Sequence, residues 1–562
     1  MIESQNVQLV LHASEKGVDF KELNYKTKFF SKDAAYKEIA KIQQTLQSKA
    51  YLLAMLDSIK EEDLLIHAYV SKGLAFEWAK IRLGNLNPGL AAKIGFYENN
   101  FQHKALNYKT LTVYIEKILR FYENTGYPFA TVQLDSVMID NNALSAALNV
   151  QKNKYFKIDS VLIKGNLKLN EGFIRQYYGL QSGMPYNEEV FSALSQKTRQ
   201  LPFILEKQEQ RVQLSNKSNK LILFYDKKDA SQFDGIVGFL PDAATKKTIL
   251  TGDVKLKLVN GILKNGETFD LEWRRLKSQT QDFNGRITYP FMFKSPLGVD
   301  YNLKIYRRDS TFIDINSNVA LQYYFRGLNY VKLFYKQRNG NLISTNGYEF
   351  ISTLPDYADV ITQAYGLGVF YEQLDYRFNP KKGISVNLSG QAGNRHIKKN
   401  PKINPLAYEQ VVLNSAQYQF EGHIAYYIQL LKNNVLKLGM QGASVFGNNS
   451  IYKNELFRIG GLKTLRGFDE ESIFTSSYVI STIEYRYLYS QNSNIFVFGD
   501  GAFYENLSNH KYNKDTPISV GAGISFETKA GILSISYALG NQMGNGFDAR
   551  SGKIHFGLSA LF

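Results

Sequence analysis

Cysteine is absent from the chain. That excludes disulfides, a thiolate metal site, a cysteine nucleophile and a lipid-modified N-terminal cysteine in this sequence. Histidine is scarce and scattered: His12, His67, His103, His396, His423, His510 and His555 form no H-E-x-x-H pair. There is no Walker-type glycine loop and no G-x-S-x-G elbow. The chain therefore does not read as an enzyme, and neither a catalytic residue, a metal site nor a cofactor is expected. Long apolar runs are missing too. No stretch of about 18 residues is apolar enough for a transmembrane helix. The opening IESQNVQLVLHAS has neither the basic region nor the apolar core of a signal peptide. Acidic residues are in deficit, 51 against 67 Lys and Arg, for a formal charge of +16. The basic residues are spread along the whole chain without a basic helix or RNA-binding motif. Nucleic acid is thus not expected as a partner, and an anionic membrane surface accounts for the charge.

Aromatic residues are in excess, at 14%, with 38 Tyr and 37 Phe but two Trp. Tyrosine at that level suits extensive surface that is half wet and half apolar. At 562 residues the chain is too long for one ordinary domain, and two patterns divide it near residue 231. Before that point helix-like and strand-like stretches alternate. SKDAAYKEIAKIQQTLQSKAYLLAML (Ser31–Leu56) opens on an N-cap serine and sets Ala35, Ile39, Ile42 and Leu46 at helical spacing. Another helix carries Leu111, Ile115, Ile118, Leu119 and Tyr122 to a stop at Gly126, and the extended FATVQLDSVMI follows. A further group starts with YFKIDSVLIKGN and continues through a short helix ending near Gly179. It then runs a helix from Asn187 to Gln200 and closes with FILEKQEQRVQL and KLILFYD. The reading is tandem α+β units of β-α-α-β-β type over residues 1–72, 73–152 and 153–230, the first being the least regular.

After residue 231 the helical period disappears. TGDVKLKLVNG sets Val254, Leu256 and Leu258 against Asp253, Lys255 and Lys257. ISVGAGISFET sets Ile518, Val520, Ala522, Ile524 and Phe526 against Ser519, Gly521, Gly523, Ser525 and Glu527. Sixteen such segments of about ten residues lie between turn signals over residues 231–562. Strands of that length and even number, small or polar on one face, predict a sixteen-stranded antiparallel transmembrane β-barrel around a wet lumen. The last segment, KIHFGLSALF, puts Ile554, Phe556, Leu558, Ala560 and Phe562 on one face. A sheet in lipid cannot leave an unpaired edge, so this strand is expected to close against the first, SQFDGIVGF. Glycines interrupt both strands at Gly235, Gly238 and Gly557, and the pair reads as a weak lateral seam from Phe233 to Phe562.

Between two of the strands lies RIGGLKTLRGFDEES (Arg458–Ser472). Period-2 counting puts Thr482, Glu484 and Arg486 on the lumen face, with Phe498 and Asp500 beside them on the next strand. Two carboxylates on adjacent strands then point into one space. A planar guanidinium can bridge them with forked, charge-assisted hydrogen bonds that a lysine cannot reproduce. Arg466 is expected to fold the loop back into the barrel and pin it there. Gly467 would allow the sharp turn and Phe468 would anchor it apolarly. Asp469, Glu470 and Glu471 are read as solvated loop charge.

The whole chain resembles the BamA/TamA superfamily of outer-membrane assembly and translocation proteins, in which POTRA domains precede a barrel. That family's sixth extracellular loop carries a [VI]-R-G-F tip after a glycine pair. Here Gly460-Gly461 precede Leu465-Arg466-Gly467-Phe468, with Leu for the usual Val or Ile. SYVISTIEYRYLY carries the family's Glu-x-Arg at Glu484 and Arg486, and FGDGA stands where it has F-x-D-x-G, ending in Ala502. LDYRFNPKKG (Leu374–Gly383) resembles its periplasmic turn at Asp375, Arg377, Pro380 and Gly383. The terminal aromatic strand resembles the sorting signal of Gram-negative outer-membrane barrels. The resemblance implies an outer-membrane barrel with its N-terminal units in the periplasm. It also implies insertion or transport of outer-membrane or secreted client polypeptides, with outer-membrane lipids as further partners, and no nucleotide hydrolysis. POTRA sheet edges and the lateral seam would supply the route. Three POTRA-like units and this length look closer to TamA than to BamA, which would bring a TamB-like periplasm-spanning partner. A two-partner-secretion translocator is the alternative, and a passive channel the remaining one.

Overall fold

The computed structural model describes residues 7–15, 18–20, 23–76, 78–101, 108–140, 143–215, 217–228, 230–241, 248–277, 280–508, 512–528 and 531–559. It divides into two compact units: Met1–Ser160 with Gly183–Ser192 and Leu214–Lys220, and Val161–Ser182 with Ala193–Gln213 and Leu221–Phe562.

The first unit begins with a four-stranded sheet in the order Lys28–Phe29, Val7–Ala13, Leu65–Ser71, Met55–Glu62. The helix Lys32–Ser48 buries Ala35, Ile39, Ile42 and Leu46 in one cluster with Leu9, Ile66 and Ala68 of the sheet. Its Ser31 cap accepts from the Ala34 amide at 3.3 Å. The helical pattern was expected to reach Leu56, but the helix stops at Ser48. Ala50 turns the chain with a φ of 71°, and Met55 and Leu56 enter a strand. Only one helix is described in this group, so its order is β-β-α-β-β among the described residues. Next, the strands Trp78–Arg82, Ala143–Gln151 and Thr131–Asp140 form a sheet in that order, with helices Pro88–Ile94 and Tyr108–Glu123 between the first strand and the other two. This group is β-α-α-β-β. The helix expected from Asn187 to Gln200 comes as two pieces, Glu188–Ser192 and Leu194–Arg199.

The second unit contains a three-stranded sheet, in the order Ile204–Gln213, Lys220–Lys227, Ser160–Lys164, and a large antiparallel sheet. Its strands are β1 Gln232–Pro241, β2 Thr248–Val259, β3 Thr268–Lys277, β4 Thr280–Tyr289, β5 Leu297–Arg308 and β6 Phe312–Arg326. Then follow β7 Asn329–Leu342, β8 Val360–Leu374, β9 Gly383–Ile397, β10 Asn414–Leu431 and β11 Asn434–Gly447. The last are β12 Ser477–Ser490, β13 Ser493–Asn506, β14 Ile518–Thr528, β15 Gly531–Asn541 and β16 Lys553–Ser559. Each pairs with its neighbour in sequence, and the short strand Asn513–Asp515 adds to β13. Strand length departs from the expected ten residues: β10 has 18 and β16 has 7.

Alternation assigns the two faces. Leu333, Leu367, Phe420, Ile483 and Phe503 are exposed on the outside, whereas the other face carries charge and small residues. On β2 to β5 that inner face is a cross-strand lattice in which Lys255 pairs with Glu272 at 3.7 Å, Arg274 with Asp253 at 3.3 Å and Arg286 with Asp300 at 2.7 Å. The segment 448–476, between β11 and β12, touches strands from β5 through β16 on this face. Its Arg458 lies over Tyr306 of β5 at 4.3 Å, and the Gly467 amide donates to His555 of β16 at 3.0 Å. A sheet that meets one loop at strands from β5 to β16 must curl around it, as a barrel does.

Candidate functional site

The loop enters the lumen as a compact hairpin. Phe457–Ile459 pairs with Ile473–Thr475, and Ile459, Leu465, Phe468 and Ile473 bury themselves with Ile480 and Tyr504 of the wall. Ala502, standing where the resemblance has glycine, packs its methyl against this cluster. Gly460 and Gly461 adopt φ of 112° and 96°, and a Cβ on either would strike Asp469 or Glu470 across the turn. The Thr464 hydroxyl accepts from the Gly460 amide at 2.8 Å, and the Gly461 amide donates to the Leu465 carbonyl at 3.0 Å.

Arg466 projects from this tip onto β12 and β13. Its Nε and Nη2 donate to the two oxygens of Asp500 at 2.8 and 2.7 Å, and its Nη1 donates to Glu484 at 2.6 Å. The guanidinium lies 3.4 Å from the Phe498 ring centroid. Around this core, Thr482 donates to Asp500 at 2.8 Å and Arg486 to the other Glu484 oxygen at 2.7 Å. Arg486 also reaches Asn379 at 3.5 Å, in the turn between β8 and β9. That turn is closed by Asp375, which accepts from the amides of Lys381 and Lys382 at 2.9 and 3.1 Å. Arg377 pairs with Glu372 at 3.3 Å. Arg466, Glu484 and Asp500 are 9%, 4% and 1% exposed, so the charged fork is shielded from water. The structure brings Leu465, Arg466, Gly467, Phe468, Glu484, Arg486, Phe498 and Asp500 into one place.

The Omp85 superfamily domain is matched over residues 261–562. The chain belongs to the Omp85 superfamily. Membership places it among outer-membrane β-barrel proteins of assembly and translocation. CdiB from Escherichia coli is similar in fold, at 12% identity over 93% of this chain and 96% of that one, with a TM-score of 0.51. CdiB from Acinetobacter baumannii matches at 13% identity over 90% and 94% of the two chains, TM-score 0.48. BamA from Haemophilus ducreyi lacking POTRA domains 1–3 matches at 16% over 86% and 98%, TM-score 0.44. No curated protein matches the sequence. As an Omp85 protein the chain is a sixteen-stranded antiparallel barrel preceded by tandem POTRA-like α+β groups.

Several residues of this Omp85 site escape a reading of the sequence. The Gly467 amide donates to the unprotonated His555 Nε2, and Gly540 of β15 admits the Phe468 ring, which a Cβ there would meet at 2.8 Å. A second fork holds the leading limb of the same loop. Arg395 of β9 donates to both oxygens of Glu455 at 2.7 and 2.6 Å, with side-chain exposures of 3% and 2%. Gln417 of β10 and the Tyr452 amide also donate to Glu455, at 3.1 and 2.9 Å. Arg338 of β7 joins Asp314 at 2.9 Å and the Asn454 carbonyl. No motif flags these residues; an inward-facing arginine among polar neighbours on β9 is the only trace.

Asp469, Glu470 and Glu471 are exposed and take surface partners: Asp469 pairs with Lys553 at 2.8 Å, Glu471 with Arg458 at 3.2 Å, and Glu470 accepts from the Leu462 amide at 3.3 Å. The described residues named for the lateral seam lie on the first and last strands. Phe233, Gly235 and Gly238 lie on β1, where Gly235 faces Val254 and Gly238 faces Thr251 of β2. Gly557 faces Ser534 of β15 and lies against Leu462 of the loop, and Phe562 lies outside the described residues. Among the described residues no group of three or more His, Asp or Glu is placed to hold a metal ion, and no helix is long and apolar enough to cross a membrane.

Proposed function

We propose that this Omp85 protein inserts or transports client polypeptides at the Gram-negative outer membrane without enzymatic chemistry, its N-terminal groups facing the periplasm. The observation that carries the reading is the loop held across the lumen by two buried charged forks. With that strap in place the lumen is obstructed, and the wall between β1 and β16 is the remaining route for a client. Glycines interrupt both strands at Gly235, Gly238 and Gly557, and parting them would offer edges to an incoming strand. The strand Thr131–Asp140 is a sheet edge with Val137, Met138 and Ile139 exposed, which suits pairing with an extended client segment. The partners of this reading are outer-membrane or secreted polypeptides and outer-membrane lipids, with a TamB-like protein on the periplasmic side.

A second reading, a two-partner-secretion type of translocator, draws on the polar and small residues that line the lumen throughout, which make a wet conduit once the strap leaves. Removal of residues 1–230 distinguishes both from a passive channel. The truncated barrel is expected to fold and to lose client insertion or secretion. Client assembly at the full-length level in a strain that depends on this protein would end the proposal.

A further inference from the structure

The turn between β6 and β7, the turn between β8 and β9, and the helix Leu194–Arg199 enclose a cavity of about 200 Å³ that the reading above does not use. Three cations line it, Lys197, Arg326 and Arg377, against one carboxylate, Glu372. Glu372 is paired with Arg377, which leaves the other two cations unbalanced. Arg326 is exposed on its turn and makes no ion pair among the described residues. Lys197 donates to the Tyr178 carbonyl at 3.1 Å and keeps two further N–H directions. Burial, and then the nearby Arg326 charge, hold the Lys197 ammonium below its ordinary range. Like charges facing one another over a cavity are relieved by an anion between them.

We propose that this cavity binds a phosphate group, held between Lys197 and Arg326. The donors come from a helix and from a turn. A tetrahedral oxyanion accepts from both directions, whereas a carboxylate accepts within its own plane. The cavity exceeds one phosphate, and its other wall is apolar through Leu328, Phe370 and Leu374, which suits a glyceryl portion. These turns end the strands of a membrane-spanning wall, the depth at which phospholipid headgroups lie. The source is a lipid headgroup or free phosphate.

Calorimetric titration of the full-length protein in neutral detergent separates them, with dihexanoyl phosphatidylglycerol, uncharged dihexanoylglycerol and inorganic phosphate as probes. Arg326→Gln and Lys197→Met/Arg326→Gln are compared with wild type, each first checked for wild-type heat-modifiable migration on gels. Phosphatidylglycerol binding that exceeds dihexanoylglycerol and falls about tenfold or more in the double variant assigns a lipid headgroup. Inorganic phosphate binding as tightly, with the same fall, assigns free phosphate. If the double variant misfolds, Arg326→Gln decides by a smaller fall of the same kind. No binding of either phosphate probe, or equal binding by wild type and variants, overturns the site.

Discussion

Arg466 meets two carboxylates with three charged hydrogen bonds while its face rests on Phe498, and each contact predicts a different variant. Removing one partner from a shielded pair leaves an uncompensated charge, which costs on the order of 3–5 kcal/mol. Arg466→Ala is therefore expected to release the loop tip from the wall, lower the barrel's thermal transition and impair function. Arg466→Lys should recover only part of this, because an ammonium cannot fork onto both acids. Asp500→Asn and Glu484→Gln should each resemble Arg466→Ala and add little to it, since members of one network are not additive. Wild-type melting and function of Arg466→Ala would remove the pin. Gly467 carries a separate test. Its φ is 86°, and a Cβ there would sit 2.9 Å from the Gly540 amide nitrogen. Gly467→Ala should thus destabilise the loop by about 1–3 kcal/mol with Arg466 untouched, measurable as earlier protease cleavage within 460–472.

The loop acts as an element because it is fixed at its tip and at its leading limb, by forks of opposite polarity. At the tip the loop supplies the guanidinium and the wall the acids; at the leading limb Glu455 is on the loop and Arg395 on the wall. Between them Arg458 stacks over Tyr306. Breaking one fork should leave the strap tethered by the other. In planar bilayers Glu455→Gln or Arg466→Ala alone is expected to conduct little more than wild type, and the two together several-fold more. Wild-type conductance in all three variants would mean the strap does not obstruct the lumen. The exchange Arg395→Glu with Glu455→Arg should restore much of what either single change loses, although the amide of Tyr452 would then face a cation.

Across the whole molecule, the charge lattice is uneven. The inner face of β2 to β5 is laced by cross-strand ion pairs, while β14 to β16 present Ser519, Gly521, Gly523, Ser536, Gly540 and Gly557. The small residues let the loop tip lie against the wall, and they leave the last strands with weak side-chain coupling. If those strands part from β1 during function, cysteines placed in 235–239 and in 557–560 should block activity when oxidised and restore it on reduction. The native chain has no cysteine to confuse the result. Full activity of the oxidised form would exclude lateral opening.

How much of this was legible from residues alone follows from the range over which each cause acts. Alternation with period two is local, so the faces of β12 and β13, and with them Glu484, Phe498 and Asp500 as inward neighbours, could be read directly from SYVISTIEYRYLY and FGDGA. The strand count, the glycine-rich turns and the want of helical period after residue 231 were legible for the same reason. Helix ends were less so: the apolar spacing after Ser48 suits a helix or a strand, and pairing with Leu65–Ser71 decided for the strand. Glu455 and Arg395 stand 60 residues apart, with no motif around either. Whether they meet depends on how far the sheet has curled when the loop folds in. The same holds for His555 beneath Gly467 and for Lys197 beside Arg326. Local chemistry determined which side chains face inward; closure of the sheet decided which of them face each other, because only a curled wall brings distant strands onto one loop.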